Sequence, residues 1–120
     1  MSFLKTFFGS TSRSSEFIEV ISPEDFGKAI KNPHVQLVDV RTAREYNNGH
    51  IAHAVNIDFF DATTFNETFK RFDKEKPVYI YCRSGSRSQK AAARLVGMGF
   101  EKIVDLSGGY MAWDNTNTFL

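Results

Sequence analysis

The residue with the clearest capacity for chemistry is Cys82, the single cysteine of the 120-residue chain. The residues before it, Val78–Tyr81, are β-branched or aromatic and follow a proline, a pattern that predicts a buried strand. The residues after it form a short polar loop, Arg83-Ser84-Gly85-Ser86-Arg87-Ser88, and the alanine-rich segment 89–96 then predicts a helix. This order of strand, loop and helix places a thiol where backbone N–H groups and a helix N-terminus converge.

The loop has the composition of an anion-binding cradle around a nucleophile. The positive charges of Arg83 and Arg87, together with the helix N-terminus, favour the thiolate over the thiol. Gly85 allows a positive φ and a close approach of the backbone to a ligand. A lone cysteine after a strand is often only a small buried hydrophobe, but this loop favours a reactive one. We therefore predict Cys82 as the catalytic residue, with loop support from Ser88 and with substrate bound by Arg83, Ser84, Gly85, Ser86 and Arg87.

The rest of the chain alternates strand and helix signals. Strands are predicted at 17–21, 35–40, 54–57, 78–81 and 102–106, and helices at 23–31, 43–46, 65–72, 89–96 and after residue 109. This alternation predicts an α/β fold, a single domain with a mainly parallel central sheet and helices on both faces. Ligands of such sheets bind outside the carboxyl ends of the strands. Three predicted carboxyl ends carry polar or glycine residues: Asp39-Val40-Arg41, Cys82-Arg83 and Ser107-Gly108-Gly109.

Composition and charge exclude several classes of function. A formal net charge of +1 is too small to indicate a nucleic-acid partner, and no apolar stretch is long enough for a membrane span. One cysteine with three scattered histidines gives no metal-ligand spacing, so neither a metal nor a cofactor is expected. A free thiol suits a reducing compartment, and we expect a cytoplasmic protein. Residues 1–15 end in a serine-rich run and are predicted to be a flexible N-terminal tail, with the domain at 16–120.

Several segments together resemble the single-domain rhodaneses, the thiosulfate-type sulfurtransferases. The likeness covers most of the chain after the tail, and the following segments carry it in order: Leu37-Val38-Asp39-Val40-Arg41, Glu45-Tyr46, Gly49-His50-Ile51, Ala54-Val55-Asn56-Ile57, the Cys82 loop, Ala91-Ala92-Ala93-Arg94-Leu95, Gly99-Phe100, and Leu106-Ser107-Gly108-Gly109-Tyr110-Met111-Ala112-Trp113. Each segment alone is weak evidence for the resemblance, but their order and spacing together are specific to this family.

The resemblance implies a rhodanese-like α/β domain and a two-step sulfur transfer. The thiolate would take a sulfane sulfur from a small anionic donor such as thiosulfate, become a persulfide, and pass the sulfur to cyanide, a thiol or a protein acceptor. Carried over by position, Cys82 is the sulfur carrier and Arg83 points toward the charged end of the donor. Arg87 either does the same or braces the loop through a carboxylate such as Asp39. Arg41 is predicted to line the mouth of the site.

Three alternatives stay open from the sequence. A phosphatase or an arsenate-handling enzyme could share the fold, although related phosphatases have one more residue between cysteine and arginine than the four found between Cys82 and Arg87. A non-enzymatic module could carry or sense sulfur while bound to a partner. A cysteine–histidine dyad through His50 or His53 is a further alternative, but the arginines of the loop already account for ionisation.

Overall fold

The structure is a computed structural model that describes residues 16–117, with side chains through residue 114. The predicted tail at 1–15 lies outside the described residues. Within residues 16–117 there are five short strands: β1 (Ile18–Ile21), β2 (Gln36–Asp39), β3 (Val55–Asn56), β4 (Val78–Tyr81) and β5 (Ile103–Leu106). They form one sheet in the order β1-β5-β4-β2-β3, and every neighbouring pair is parallel.

Helices cover both faces of this sheet, which confirms the predicted fold class. They are α1 (Pro23–Ala29), α2 (Ala43–Asn47), α3 (Ala62–Phe69), α4 (Ser86–Gly97) and α5 (Gly109–Asn117). On one face, Phe65 and Phe69 of α3 and Leu95 of α4 pack in a buried cluster with Ile80 and Cys82. On the other face, the helices α1 and α5 close a second cluster around Tyr81 and Leu106. The sheet is therefore buried between two apolar layers, as its β-branched strands predict.

Local capping fixes where the first two helices begin. The Ser22 hydroxyl accepts a hydrogen bond from the Asp25 N–H at 3.1 Å, with Pro23 at the first helical position. Helix α1 ends at Ala29 with Ile30 as its C-cap, two residues before the predicted end at residue 31, and the Asn32-Pro33 pair prevents any continuation. Thr42 and Glu45 form a capping box that starts α2 directly after β2.

Candidate active site

The Cys82 sulfur lies at the floor of the loop that joins β4 to α4. The Gly85 backbone N–H donates a hydrogen bond to Sγ at 3.1 Å, and Sγ lies 3.5 Å from the Ser88 hydroxyl oxygen. Cys82 is only 1% exposed, whereas Arg83, Ser84 and Ser86 of the loop are exposed. Among the described residues, Gly85 and Ser88 are the hydrogen-bond partners of this sulfur. The loop thus encloses the thiol, while its side chains at Arg83, Ser84 and Ser86 are exposed to solvent.

Gly85 produces the turn that starts α4. Its φ of 115° is a conformation that glycine adopts without a Cβ penalty, and no side chain caps the helix start. The Ser88 hydroxyl donates instead to the Gly85 carbonyl oxygen at 3.2 Å, which closes the first turn around the sulfur. The first N–H groups of α4 therefore have no side-chain acceptor and are placed for an anionic ligand.

Arg87 is braced by Glu45, a residue that the sequence analysis did not include in the site. Its Nη1 and Nη2 atoms donate to Glu45 Oε1 and Oε2 at 2.7 and 2.9 Å, a bidentate pair that ties the start of α4 to α2. The hydrogen bonds from Arg87 lower the pKa of the Glu45 carboxyl to about 2, so this carboxylate stays ionised at neutral pH. The prediction that Asp39 could brace Arg87 is wrong, because the Asp39 carboxylate is paired elsewhere.

Asp39 and Arg41 form a buried ion pair of their own. The Arg41 Nη2 atom lies 2.7 Å from Asp39 Oδ2 and also donates to the Gly49 carbonyl oxygen at 2.7 Å. Its guanidinium carbon stacks 4.5 Å from the centre of the Tyr110 ring. Arg41 is 4% exposed and Asp39 is fully buried, so a solvent-borne anion has no access to this guanidinium. The predicted roles of Arg41 in substrate binding and of Asp39 in loop support are therefore corrected: the pair ties β2 to the segment after α2.

The start of α5 also supports the loop, through backbone hydrogen bonds. The Tyr110 N–H donates to the Cys82 carbonyl oxygen at 2.8 Å, and the Met111 N–H donates to the Arg83 carbonyl oxygen at 3.0 Å. A Cβ on Gly109 would lie 2.5 Å from the Arg83 carbonyl carbon and oxygen and 2.6 Å from the Cys82 oxygen. Only a glycine lets the two segments approach this closely. From the sequence, Ser107-Gly108-Gly109 was correctly predicted to lie at the same edge of the sheet as the Cys82 loop, but its contact with that loop was not predicted.

The histidines do not complete a dyad. The His50 Nδ1 atom lies 2.7 Å from the Tyr46 carbonyl oxygen, and the two rings stack with centroids 3.6 Å apart. His53 is exposed, with a φ of 72° in the turn before β3. His50 therefore supports the end of α2, and the dyad alternative finds no support in the contacts of either histidine.

Among the residues that the structure describes, no group of three or more His, Cys, Asp or Glu side chains is arranged to hold a metal ion. No helix between residues 16 and 117 combines the length and the apolar character that crossing a membrane requires.

The arrangement suits nucleophilic displacement at an anionic electrophile. Cys82 supplies a nucleophile, and the N–H groups at the start of α4 supply donors for negative charge. Arg83 is exposed beside them and forms no ion pair among the described residues, so its cation is available to an incoming anion.

Sequence comparisons with known proteins cover most of the described chain. Residues 22–116 match the sequence model of the rhodanese-like domain. A thiosulfate sulfurtransferase GlpE from Pseudomonas savastanoi pv. phaseolicola is 34% identical over 94 residues, which is 78% of this chain and 86% of that protein. A thiosulfate sulfurtransferase GlpE from Coxiella burnetii is 34% identical over 93 residues, which is 78% of this chain and 84% of that protein.

Solved structures give the same fold. A rhodanese-related protein from Thermoplasma volcanium superimposes with a TM-score of 0.70 at 30% identity, covering 82% of this chain and 92% of that one. A rhodanese-like domain protein from Staphylococcus aureus superimposes with a TM-score of 0.69 at 32% identity, covering 79% and 90%.

Proposed function

The chain belongs to the rhodanese-like domain family, and on that premise we propose that it is a sulfurtransferase whose sulfur carrier is Cys82. The donor is a small anion with a sulfane sulfur, of which thiosulfate is the simplest, and the acceptor is cyanide or a thiol. The reaction needs no metal and no cofactor, since the thiolate itself carries the sulfur. A free thiol as carrier fits the reducing cytoplasm, where we place the reaction.

The single observation that carries this proposal is the position of the Cys82 sulfur. It lies 3.1 Å from the Gly85 nitrogen, at the uncapped start of α4. The N–H groups of that first turn can donate to a negatively charged ligand, and the positive end of the helix dipole favours both a thiolate and a bound anion. The relatives named thiosulfate sulfurtransferase support the choice of donor.

The two half-reactions balance around the sulfur. In the first, the Cys82 thiolate attacks the outer sulfur of thiosulfate, a new S–S bond forms, and the bond inside thiosulfate breaks as sulfite leaves with its electron pair. In the second, cyanide or a thiolate attacks the outer sulfur of the persulfide, and Cys82 leaves as a thiolate. The loop N–H groups stabilise the negative charge on sulfur in both steps.

Intact-mass measurement tests this proposal directly. Treatment with thiosulfate should add the mass of one sulfur atom to the protein, and cyanide should remove it with formation of thiocyanate. The Cys82→Ser variant should gain no sulfur. Absence of the adduct on the wild type, or an adduct that survives Cys82→Ser, would overturn the proposal, and turnover of an aryl phosphate without sulfur transfer would point to a phosphatase instead.

A matched pair of arginine variants tests the role of the loop rim. Arg83→Ala should raise KM for thiosulfate about tenfold, because a charge-assisted contact contributes about 1.5–3 kcal/mol in a shielded site and less in an open one. Arg71→Ala removes another exposed cation, after α3, and should leave KM unchanged. Equal effects in the two variants would mean that only net charge matters, and that Arg83 makes no contact with the donor.

A further inference from the structure

Phe60 is an exposed aromatic residue that the reaction described above does not use. Among the described residues, four large apolar side chains are about half exposed or more: Val20, Val55, Phe60 and Met111. Val20 and Val55 lie on β1 and β3, the two edge strands of the sheet. Phe60 is the most exposed of the four, at 67%, and lies in the segment between β3 and α3. Its place relative to the loop decides whether this ring can take part in the chemistry.

Backbone hydrogen bonds place Phe60 at the same edge of the sheet as Cys82. The Val40 N–H donates to the Tyr81 carbonyl oxygen at 2.9 Å, and the Phe59 N–H donates to the Val40 carbonyl oxygen at 3.0 Å. Tyr81 and Phe59 directly precede Cys82 and Phe60 in the chain. The segment before α3 therefore continues the pairing past the carboxyl ends of β4 and β2. Two strand spacings of about 4.8 Å, or about 10 Å in all, separate it from the backbone at Cys82.

The ring of Phe60 contacts the loop through Arg87. The Arg87 guanidinium carbon lies 5.6 Å from the centre of the Phe60 ring, within the range of a cation–π contact. This guanidinium is fixed in turn, because both of its terminal nitrogens donate to Glu45. On the backbone, the Phe60 N–H donates to Asp58 Oδ1 at 2.8 Å. Phe60 is therefore held beside the loop although two-thirds of it is exposed.

A bare inorganic anion makes no use of this ring. Thiosulfate consists of sulfur and oxygen alone and has no hydrocarbon surface, so the loop N–H groups and Arg83 suffice to bind it. An anion that carries an aryl group would have charged atoms for the loop and a ring for Phe60. Aromatic rings in proteins pack with their centroids about 4.5–7 Å apart. A phenyl group attached to an anion at the loop therefore spans the remaining distance to Phe60.

We propose that Phe60 is a specificity-determining residue, which packs against an aryl group on the anionic sulfur donor. The donor class that this implies is the aryl thiosulfonates, in which an aryl group replaces one oxygen of thiosulfate. The Cys82 thiolate attacks the outer sulfur and forms a new S–S bond, and the bond between the two donor sulfurs breaks as a sulfinate leaves with its electron pair. The transfer of sulfur rests on the proposed function, whereas the binding of an aryl anion beside Phe60 does not.

Amide chemical shifts in a titration with benzenesulfonate test the binding without requiring sulfur transfer. Methanesulfonate, which has the same anionic group without the ring, is the matched ligand. In the wild type both anions should shift the amides of residues 84–88, and benzenesulfonate alone should also shift Phe60. The Kd of benzenesulfonate should be lower by about two- to tenfold, the contribution of one aromatic pair.

Two variants assign this difference to Phe60. Phe60→Ala should remove most of the difference between the two Kd values. Val55→Ala, which removes a half-exposed apolar side chain of β3, should keep it. Equal Kd values for the two anions in the wild type, or an undiminished difference in Phe60→Ala, would overturn the role of Phe60.

Steady-state kinetics with two donors test the same role in turnover. The ratio of kcat/KM for benzenethiosulfonate to kcat/KM for thiosulfate should fall about two- to tenfold in Phe60→Ala and keep its wild-type value in Val55→Ala. A fall in both kcat/KM values by the same factor would mean damage to the loop and would overturn the role in specificity.

The two proposals can fail separately. If no persulfide forms at Cys82 but benzenesulfonate binds more tightly than methanesulfonate only when Phe60 is present, the proposed function fails and the role of Phe60 stands. If the persulfide forms but Phe60→Ala keeps both the wild-type difference in Kd and the wild-type ratio of kcat/KM values, the role of Phe60 fails and the proposed function stands.

Discussion

Gly109 is the position where a single methyl group should do most damage to the site. It has a φ of 63°, and a Cβ would lie 2.5 Å from the carbonyl carbon and oxygen of Arg83. These atoms belong to the backbone, so no side chain can rotate away to relieve the overlap. Gly109→Ala must therefore shift either the start of α5 or the loop that carries Cys82.

The magnitude follows from two separate costs. A left-handed conformation costs a non-glycine residue about 1–2 kcal/mol, and overpacking against a fixed neighbour adds about 1–3 kcal/mol. The free energy of unfolding should fall by about 2–5 kcal/mol, a large share of the 5–15 kcal/mol that is typical of domains. For a domain of this size we expect a fall in Tm of about 8–20 °C, at about 4 °C per kcal/mol.

Urea unfolding of three glycine variants separates the two costs. Gly97→Ala has no heavy atom within 4 Å of the added Cβ and no positive φ, so its free energy of unfolding should change by less than about 1 kcal/mol. Gly85→Ala also meets nothing within 4 Å but has a φ of 115°, and should lose about 1–3 kcal/mol from backbone strain alone. Gly109→Ala should lose more than either, together with most of its kcat/KM for thiosulfate.

The ranking decides whether steric contact with the loop is the cause. If Gly109→Ala is no less stable than Gly85→Ala, backbone conformation alone explains its effect and the close approach of α5 has no energetic weight. If Gly109→Ala loses stability but keeps full activity, the loop has not moved, and the inferred support of Cys82 by α5 is wrong.

Three further predictions address the ion pair, the buried carboxyl and the core. The Arg87–Glu45 coupling in a double-mutant cycle with Glu45→Gln and Arg87→Gln should be about 1–3 kcal/mol, and a value near zero would mean that the bidentate pair does not brace the loop. Desolvation raises the pKa of the buried Asp105 carboxyl to about 6, so its protonation should stabilise the fold by about 3 kcal/mol at 1.36 kcal/mol per pKa unit. This contribution to the free energy of unfolding is fully present below the unfolded pKa of the carboxyl and is lost as pH rises through about 6. Urea unfolding of wild type and Asp105→Asn at pH 4 and pH 7 isolates it, and parallel changes in the two proteins would refute it. Phe69→Ala should lower the free energy of unfolding by about 3–5 kcal/mol, whereas Phe60→Ala, at a side chain that is 67% exposed, should lower it by less than about 1 kcal/mol.

The sequence predicts best those features that local chemistry controls. The Ser22-Pro23 start of α1, the Thr42 cap of α2 and the strand before Cys82 all appear where short-range signals place them. The spacing of Phe65 and Phe69 likewise predicts a buried helical face, and both rings are fully buried. Each of these depends on neighbours within a few residues along the chain.

The pairing of charges could not be predicted in the same way. Glu45 and Arg87 are 42 residues apart, and nothing in their own segments indicates that α2 lies against the start of α4. Asp39 and Arg41 are two residues apart, yet their pairing with each other depends on burial between β2 and Tyr110. Their position at a predicted carboxyl end favoured a role in the site, because topology locates the edge of the sheet without showing which side chains turn inward.

Residues made after Cys82 complete the loop around it, and this has a consequence for how the protein emerges from the ribosome. The Cys82 and Arg83 carbonyls are bonded by N–H groups of α5, and β1 pairs only with β5 within the described sheet. The first strand must therefore wait for the last one before the sheet closes, a non-local pairing of the kind that slows folding. Until then the loop around the thiol lacks its hydrogen bonds from α5, and the thiol is open to oxidants and to stray thiols. A nascent chain stalled before residue 103 should accordingly react with a maleimide probe at Cys82 as fast as an unfolded peptide, and protection should appear only once α5 has been synthesised.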